Sequence, residues 1–303
     1  ASLPGRVGLS MPQPRRWLCV SFADRSDAMP AALAEELVAL MRDAVRSRMV
    51  ADVPLGAFLS GGVDSSSVVA LMAEQSRQAV KTSTIGFDVD SLDERHYADH
   101  VARRFATDHR TKIVSPDDYG LLDRIVGHFD EPFADASALP TFRVCELARE
   151  EVTVALSGDG ADEAFAGYRR HLFQHRGEGM RRLLPQGLRG PVFGALGSIW
   201  PKADWAPRFL RAKSTFQELA MSGAEAYARS VGFTPPELRT RLYAPEFTRA
   251  LSGHRAEDRI VKTMESAPAR DPIDRAQYAD LKIWLPGDIL TKVDIASMAC
   301  SLE

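Results

Sequence analysis

The chain has 303 residues, 38 basic and 41 acidic side chains, and a formal net charge of −3. That balance excludes a protein that coats nucleic acid through basic charge. With 45% hydrophobic and 26% charged residues the chain can bury a core, so disorder is excluded as its main state. No apolar run reaches the roughly 18 residues a membrane helix needs. Cys19, Cys145 and Cys300 are odd in number, far apart and free of any CxxC pair. A disulfide framework and a zinc ribbon do not fit that pattern, and a reducing, cytoplasmic setting is expected.

In chain order, residues 1–28 hold Pro4, Gly5, Pro12 and Pro14 without a period and read as a linker or the edge of something absent. Leu33, Leu37, Leu40, Met41, Ala44, Val45 and Met49 then recur at helical spacing. Ser26 or Asp27 could cap that helix, with Glu35 and Glu36 favourable in its first turns. Pro54 ends it, and Leu55 to Leu59 reads as a buried strand. Helices are predicted over 64–75, 92–105, 117–129 and 137–150, and strands over 82–87, 110–114 and 152–156. Strands alternating with helices of this length imply right-handed βαβ units, so residues 29–167 predict a doubly wound α/β layer with a parallel sheet. After about Gly167 the strand signal fades. Helices and loops are expected over 168–270, which holds Trp200 and Trp205.

The sharpest motif is Ser60-Gly61-Gly62-Val63-Asp64-Ser65-Ser66, directly after the first strand and opening a helix. Glycines let backbone approach an oxyanion, and free N–H groups at a helix start bind phosphate. Ser60, Ser65 and Ser66 add hydroxyl donors. Asp64 would repel a phosphate unless a divalent cation bridges the two. The Gly-Lys-Ser/Thr ending of a P-loop is absent. A glycine turn with a helix cap is the plain alternative. A second cluster, Asp159, Asp162 and Glu163, crowds three carboxylates onto a glycine-rich strand exit. Alone it could be an acid-decorated helix start. Beside Asp64 on a neighbouring strand, a metal site is the preferred reading.

Weaker signals are read conservatively. His96/His100 and His171/His175 have zinc-compatible spacing but no third ligand, so they read as surface histidines. The basic run Arg169, Arg170, His171, His175, Arg176, Arg181 and Arg182 reads as a solvated face. Lys292 and Asp294 could reach a substrate or form a structural ion pair.

Ser60 to Ser66 resembles the pyrophosphate-binding loop of the ATP pyrophosphatase families. Asp52 to Leu59, Thr84 to Phe87, Asp130 to Asp135, Leu156 to Glu163 with Ala166 to Arg169, and Leu285 to Asp294 narrow the resemblance. They resemble, in family order, the synthetase domain of glutamine-dependent asparagine synthetases. The resemblance implies an α/β doubly wound parallel sheet of the ATP pyrophosphatase type with a helical C-terminal extension. It divides the chain into residues 1–28, a linker or edge of an absent glutaminase domain, and one domain over 29–303. That domain has an α/β core over 29–167 and a mainly helical, truncated extension over 168–303.

The resemblance also implies roles. Leu59 and Ile85 would contact adenosine through backbone, and Ser60, Gly61, Gly62, Ser65 and Ser66 would hold the pyrophosphate portion. Ser157 and Gly158 would line the adenylate pocket, Asp64 and Asp162 would coordinate Mg2+, and Asp159 would serve formation of the acyl-adenylate. With Lys292, Asp159 is the expected catalytic pair. ATP and Mg2+ are the implied cofactors. The implied partners are a small-molecule carboxylate, aspartate by default, and a glutaminase domain in the parent chain. No nucleic acid or membrane is expected, and a homodimer is one open assembly. The implied reaction adenylates the carboxylate with release of pyrophosphate, after which ammonia displaces AMP. The alternatives are an amidotransferase acting on a sugar or peptide carboxylate in surface-polysaccharide or natural-product biosynthesis, and a nucleotide-binding module without catalysis. Three departures stand out: Ile295 where arginine is usual, Cys300 where histidine is usual, and an end at Glu303 before a further family segment with a second lysine. The start at Ala1 without methionine points the same way, to a fragment.

Overall fold

Residues 19–89, 91, 93–115, 120–200 and 212–303 are described by the computed structural model. The prolines and glycine at positions 4–14, Trp205, and the expected helix starts at Leu92 and Asp117 lie outside the described residues. The first helix, α1 (Pro30–Arg48), begins at proline rather than at the expected Ser26 or Asp27 cap. No side chain caps it; Pro30 at the first helical position has a preset φ and no N–H to satisfy. Glu35 and Glu36 therefore fall past the first turn.

Then follow β1 (Leu55–Phe58), α2 (Val63–Gln75), β2 (Lys81–Phe87), α3 (Arg95–Phe105), β3 (Asp108–Val114), α4 (Leu122–His128), α5 (Ala138–Arg149) and β4 (Val154–Leu156). All pairings are parallel and the spatial order is β3-β2-β1-β4. The predicted α/β fold is thus present, with β1 in the middle. The chain steps outward from β1 to β3, then returns to place β4 on the other side of β1. Strand order reverses between β1 and β4, which is where ligands bind at the carboxyl ends of such sheets.

Alternation along β1 builds the two faces. Ala57 and Leu59 join Val69, Met72, Val80 and Ala98 in one buried cluster, under α1, α2 and α3. Phe58 turns the other way, against a cluster of Ile125, Phe142, Cys145, Val152, Ala296 and Leu302. Each such aliphatic or aromatic side chain removed from water contributes about 1.5–3 kcal/mol.

Beyond the sheet the chain is helical: α6 (Ala161–Phe165), α7 (Arg169–Leu183), α8 (Gln186–Ile199), α9 (Lys213–Ala220), α10 (Gly223–Val231), α11 (Pro236–Leu242), α12 (Pro245–Ala250), α13 (Glu257–Glu265) and α14 (Pro272–Ala279). A reciprocal capping box, Ser222 with Glu225, starts α10. The segment Asp280–Ile289 continues α14 as a π-helix, with Pro286 inside it, and runs into α15 (Leu290–Ala299). Wide turns suit a proline that cannot donate to the α ladder. The last residues return to the core. Ala296 and Leu302 enter the cluster on α5, and Glu303 exchanges backbone hydrogen bonds with Thr153 (2.9 Å) and Ala155 (2.7 Å) along the free edge of β4.

Candidate active site

The Ser60–Ser66 loop leaves the carboxyl end of β1 and feeds α2. Gly61 has φ +80°, a conformation that strains any residue with a side chain. The loop is tied internally. The Ser60 and Ser65 hydroxyls lie 2.9 Å apart, Ser60 N–H donates to Ser65 Oγ (3.2 Å), and Gly62 N–H donates to Ser60 Oγ (3.2 Å). The Thr84 hydroxyl donates to the Leu59 carbonyl, so β2 pins the strand just before the loop. The second motif leaves β4 next door, and Gly160 with φ +96° starts α6. The two loops touch. A Cβ added to Gly158 would lie 2.8 Å from Ser65 N and 3.0 Å from the Asp64 carbonyl carbon and Cβ.

Two cavities share this rim, with Phe58, Ser60 and Asp159 common to both. The first, about 450 Å³, is lined by Leu59, Ser83, Thr84, Ile85 and Phe87 from the sheet, by Ser137, Pro140, Thr141 and Val144 from α5 and its approach, and by Lys292 and Val293 from α15. Its walls are largely apolar. The second, about 330 Å³, is lined by Asp64, Ser65, Ser157, Gly158, Gly160, Asp162, Glu163, Tyr168 and Ile289. Of the expected site residues, Leu59, Ser60, Asp64, Ser65, Ile85, Ser157, Gly158, Asp159, Asp162 and Lys292 thus meet around one crevice. Gly61 and Gly62 shape the loop without lining either cavity. Ser66 also lines neither, and its buried hydroxyl has no hydrogen-bond partner.

The acids behave differently from one another. Burial raises the Asp64 pKa, and the Asp162 charge raises it further. Neither forms an ion pair with a basic side chain among the described residues. Two facing carboxylates without a cation fit a divalent ion, which takes oxygen ligands. Among the described residues no group of three or more His, Cys, Asp and Glu side chains is arranged for a metal. The protein would therefore supply two carboxylates, leaving the other positions to phosphate oxygens and water. Glu163, the third acid of the cluster, is 1% exposed and accepts a 2.6 Å hydrogen bond from the Tyr168 hydroxyl. Burial and that carboxylate raise the Tyr168 pKa.

Lys292 is buried, with Nζ donating to Asp135 Oδ2 and Ser137 Oγ, both at 2.7 Å. The expected choice between substrate contact and ion pair is not exclusive. The ammonium is paired, lines the larger cavity and keeps a third N–H. Burial would raise the Asp135 pKa, but hydrogen bonds from Lys292 and Ser137 outweigh it and hold the carboxyl below its ordinary value. Burial and the Asp135 charge raise Asp288, from the π-helix. Asp135 and Asp288 fall within the segments Asp130 to Asp135 and Leu285 to Asp294 and carry no expected role. Their partners, 157 residues away in the case of Lys292, give no local sequence signal.

The basic run is corrected in part. Asp280, 2% exposed, accepts at one oxygen from His171 Nε2 (2.8 Å), Arg170 Nη2 (3.0 Å) and the Tyr227 hydroxyl (2.6 Å). His171 is 1% exposed, so it is a core residue rather than a surface one. Arg170 also stacks 3.6 Å from the Tyr168 ring centroid, which joins this network to the second cavity. Ile295 and Cys300 line neither cavity. The Cys300 thiol points instead at the Phe142 carbonyl, 3.8 Å away in the core.

Residues 36–303 match the family model described as asparagine synthase. The chain is 36% identical, over 89% of its length, to the Mycobacterium tuberculosis H37Rv protein named putative asparagine synthetase (glutamine-hydrolyzing), covering 39% of that protein. It is 33% identical over 89% of its length to Bacillus subtilis asparagine synthetase (glutamine-hydrolyzing) 1, covering 41%. Similarity extends to amidase chyE of Penicillium rubens, at 31% over 55% of this chain and 28% of the relative. The chain thus spans about two fifths of its first two relatives, and with this match over most of its residues it belongs to the asparagine synthase family.

Proposed function

We propose that the chain is the ATP-using part of an amide-forming ligase. One observation carries this reading: the Ser60–Ser66 and Ser157–Glu163 loops touch at the point where strand order reverses, and together border two confluent cavities. The larger, apolar cavity suits an adenosine against Leu59 and Ile85. The smaller, polar one suits phosphates over the start of α2, whose N–H groups and dipole favour anions. Asp64 and Asp162 would hold Mg2+, which when bound offsets the charge of the polyphosphate.

In the proposed reaction a carboxylate oxygen of the acceptor attacks the α-phosphorus of ATP, and the bond to pyrophosphate breaks. Ammonia then attacks the acyl carbon and gives up one proton to solvent, and AMP leaves with the bonding pair of the acyl–oxygen bond. The α2 N–H groups and the Ser60 and Ser65 hydroxyls bind the departing pyrophosphate. Lys292, fixed by Asp135, directs its remaining N–H to oxygen charge developing near the α-phosphate. Asp159, on the rim of both cavities, is placed to manage the proton or orientation of the attacking group. Aspartate is the acceptor proposed first, with ammonia delivered by a glutaminase domain of the parent protein. Ile295 and Cys300 lie away from the cavities and give no reason to replace aspartate.

The test is ATP–pyrophosphate exchange in the full-length protein with a panel of carboxylic acids that includes aspartate, sugar acids and peptide acids. Exchange that needs magnesium and one acceptor, and that Asp64→Ala abolishes, supports the proposal. Nucleotide binding without exchange for any acid would replace it with a non-catalytic binding module.

A further inference from the structure

A further cavity of about 540 Å³ opens between α7, α9 and α10 and shares no lining residue with the two described above. Its polar wall is one helix. Arg169, Arg170, Arg176 and Arg181, all from α7, face it, against the single carboxylate of Glu218. Phe173 and Met180 from the same helix supply an apolar floor.

The four cations are not equally matched. Arg170 is paired with Asp280 and Arg181 with Glu178. Arg169 and Arg176 have no carboxylate partner among the described residues; Arg169 rests over the Phe173 ring. Arg181 is incompletely satisfied despite its ion pair. Its side chain is 6% exposed, Nη1 and Nη2 donate to Glu178 and to the Glu218 carbonyl, and Nε is buried without an acceptor. Burial raises the pKa of Glu218, the one acid of the wall. A buried guanidinium N–H without an acceptor is costly, and an oxyanion met by the planar fork of Arg181 would relieve that cost.

We propose that this cavity binds a small organic anion, its phosphate or carboxylate head held by Arg169, Arg176 and Arg181 and its apolar body by Phe173 and Met180. The site is independent of the nucleotide crevice. Phosphate and carboxylate share the recognition chemistry, and the probes separate them.

Phenyl phosphate, benzoate and inorganic phosphate are titrated calorimetrically into the full-length protein and its R169A/R176A and S60A/S65A variants. Both arginines are exposed, so their loss leaves the core untouched. At least one aromatic anion binds wild type saturably, and the tighter of the two identifies the head group. R169A/R176A weakens that binding about tenfold or more, as expected for losing charge-assisted hydrogen bonds, while S60A/S65A, which removes two hydroxyl donors of the nucleotide crevice, leaves it unchanged. Three results overturn the proposal: no saturable binding of either aromatic anion up to about 10 mM, a range that covers weak affinities; equal binding by R169A/R176A and wild type; or loss of binding in S60A/S65A, which would put the anion in the nucleotide crevice. Inorganic phosphate binding as tightly as phenyl phosphate would overturn the role given to Phe173 and Met180.

Discussion

Gly158→Ala is the sharpest test of the contact between the two loops. Gly158 is not among the glycines with positive φ, so alanine meets no backbone strain there and only space matters. The added Cβ would lie 2.8 Å from Ser65 N and 3.0 Å from two Asp64 atoms, where ordinary contact begins at 3.4 Å. The nearest neighbours are backbone and a Cβ at the start of α2, which cannot swing aside as a long side chain would. The β4 loop must therefore retreat from α2 by about 0.6 Å, the difference between 3.4 and 2.8. Overpacking of this kind costs about 1–3 kcal/mol of stability. Misplacement on the scale of 1 Å costs about a hundredfold in rate, so a loss of about ten- to a hundredfold in ATP–pyrophosphate exchange is expected. The assay is run in the full-length protein well below the variant's melting temperature, so that unfolding does not enter. Exchange within about twofold of wild type, with the fold intact, would refute the claim that this contact sets the geometry of the site.

Other substitutions divide stability from activity. Asp64→Asn should abolish exchange yet raise the melting temperature at pH 7. Because the folded-state pKa of Asp64 is raised by burial and by Asp162, its ionisation penalises the native state at neutral pH. That penalty disappears as pH falls through the folded and then the unfolded value, so the advantage of the variant should vanish in acid. Asp135 has the opposite sign: its contribution is full above the ordinary value of 3.8 and is lost as pH falls through its lowered folded-state value. Asp135→Asn should cost about 3–5 kcal/mol by stranding the Lys292 ammonium. D135N/K292M should recover most of that stability while exchange stays down about a hundredfold. Recovery of turnover along with stability would make the pair structural only. Gly179→Ala, inside α7 with open space around the new methyl group, should add about 0.5–1 kcal/mol. At pH 8, maleimide should label Cys19 first. Cys19 is exposed, whereas burial pushes the Cys145 thiol up to about 12 and the Cys300 thiol up to about 11, keeping both protonated.

The sheet was legible because its signals are local. Leu55 to Phe58 and Lys81 to Phe87 are short apolar or β-branched runs bounded by breakers, and glycine-rich loops follow β1 and β4 at the ends where ligands sit. The βαβ rhythm puts those loops at the same end of a parallel sheet, and the order β3-β2-β1-β4 makes β1 and β4 neighbours. The misread positions depend on distant partners. His171 and Arg170 look like part of a basic surface run until Asp280, 109 and 110 positions away, is brought beside them. The cap of α1 was misassigned for a different reason. Proline needs no N–H acceptor, so Pro30 starts the helix without a capping side chain. In 168–270 apolar and basic residues alternate without one clean period; α7 and α8 have 15 and 14 residues, whereas α9 to α13 have only 6 to 9 and α11 and α12 bury no residue.

The third wall of the crevice comes from the far end of the sequence, and its precision follows from how that segment is anchored. Asp280 begins the π-helix with three donors on one carboxylate oxygen, inside a nearly closed shell. Lys292 lies just beyond the end of the segment and is held by Asp135 and Ser137. Between these buried polar anchors the segment is mainly apolar. Leu285 rests against the Gly160 backbone, and Ile289 lines the smaller cavity. A hydrophobic segment alone could slide or rotate at little cost, because apolar contact is not directional. The anchors remove that freedom: shifting the helix would strip a buried carboxylate or ammonium of its partners. The wide turns around Pro286 set the rotation between the anchors, so the helix that satisfies Asp280 at one end also presents Lys292 to the larger cavity at the other.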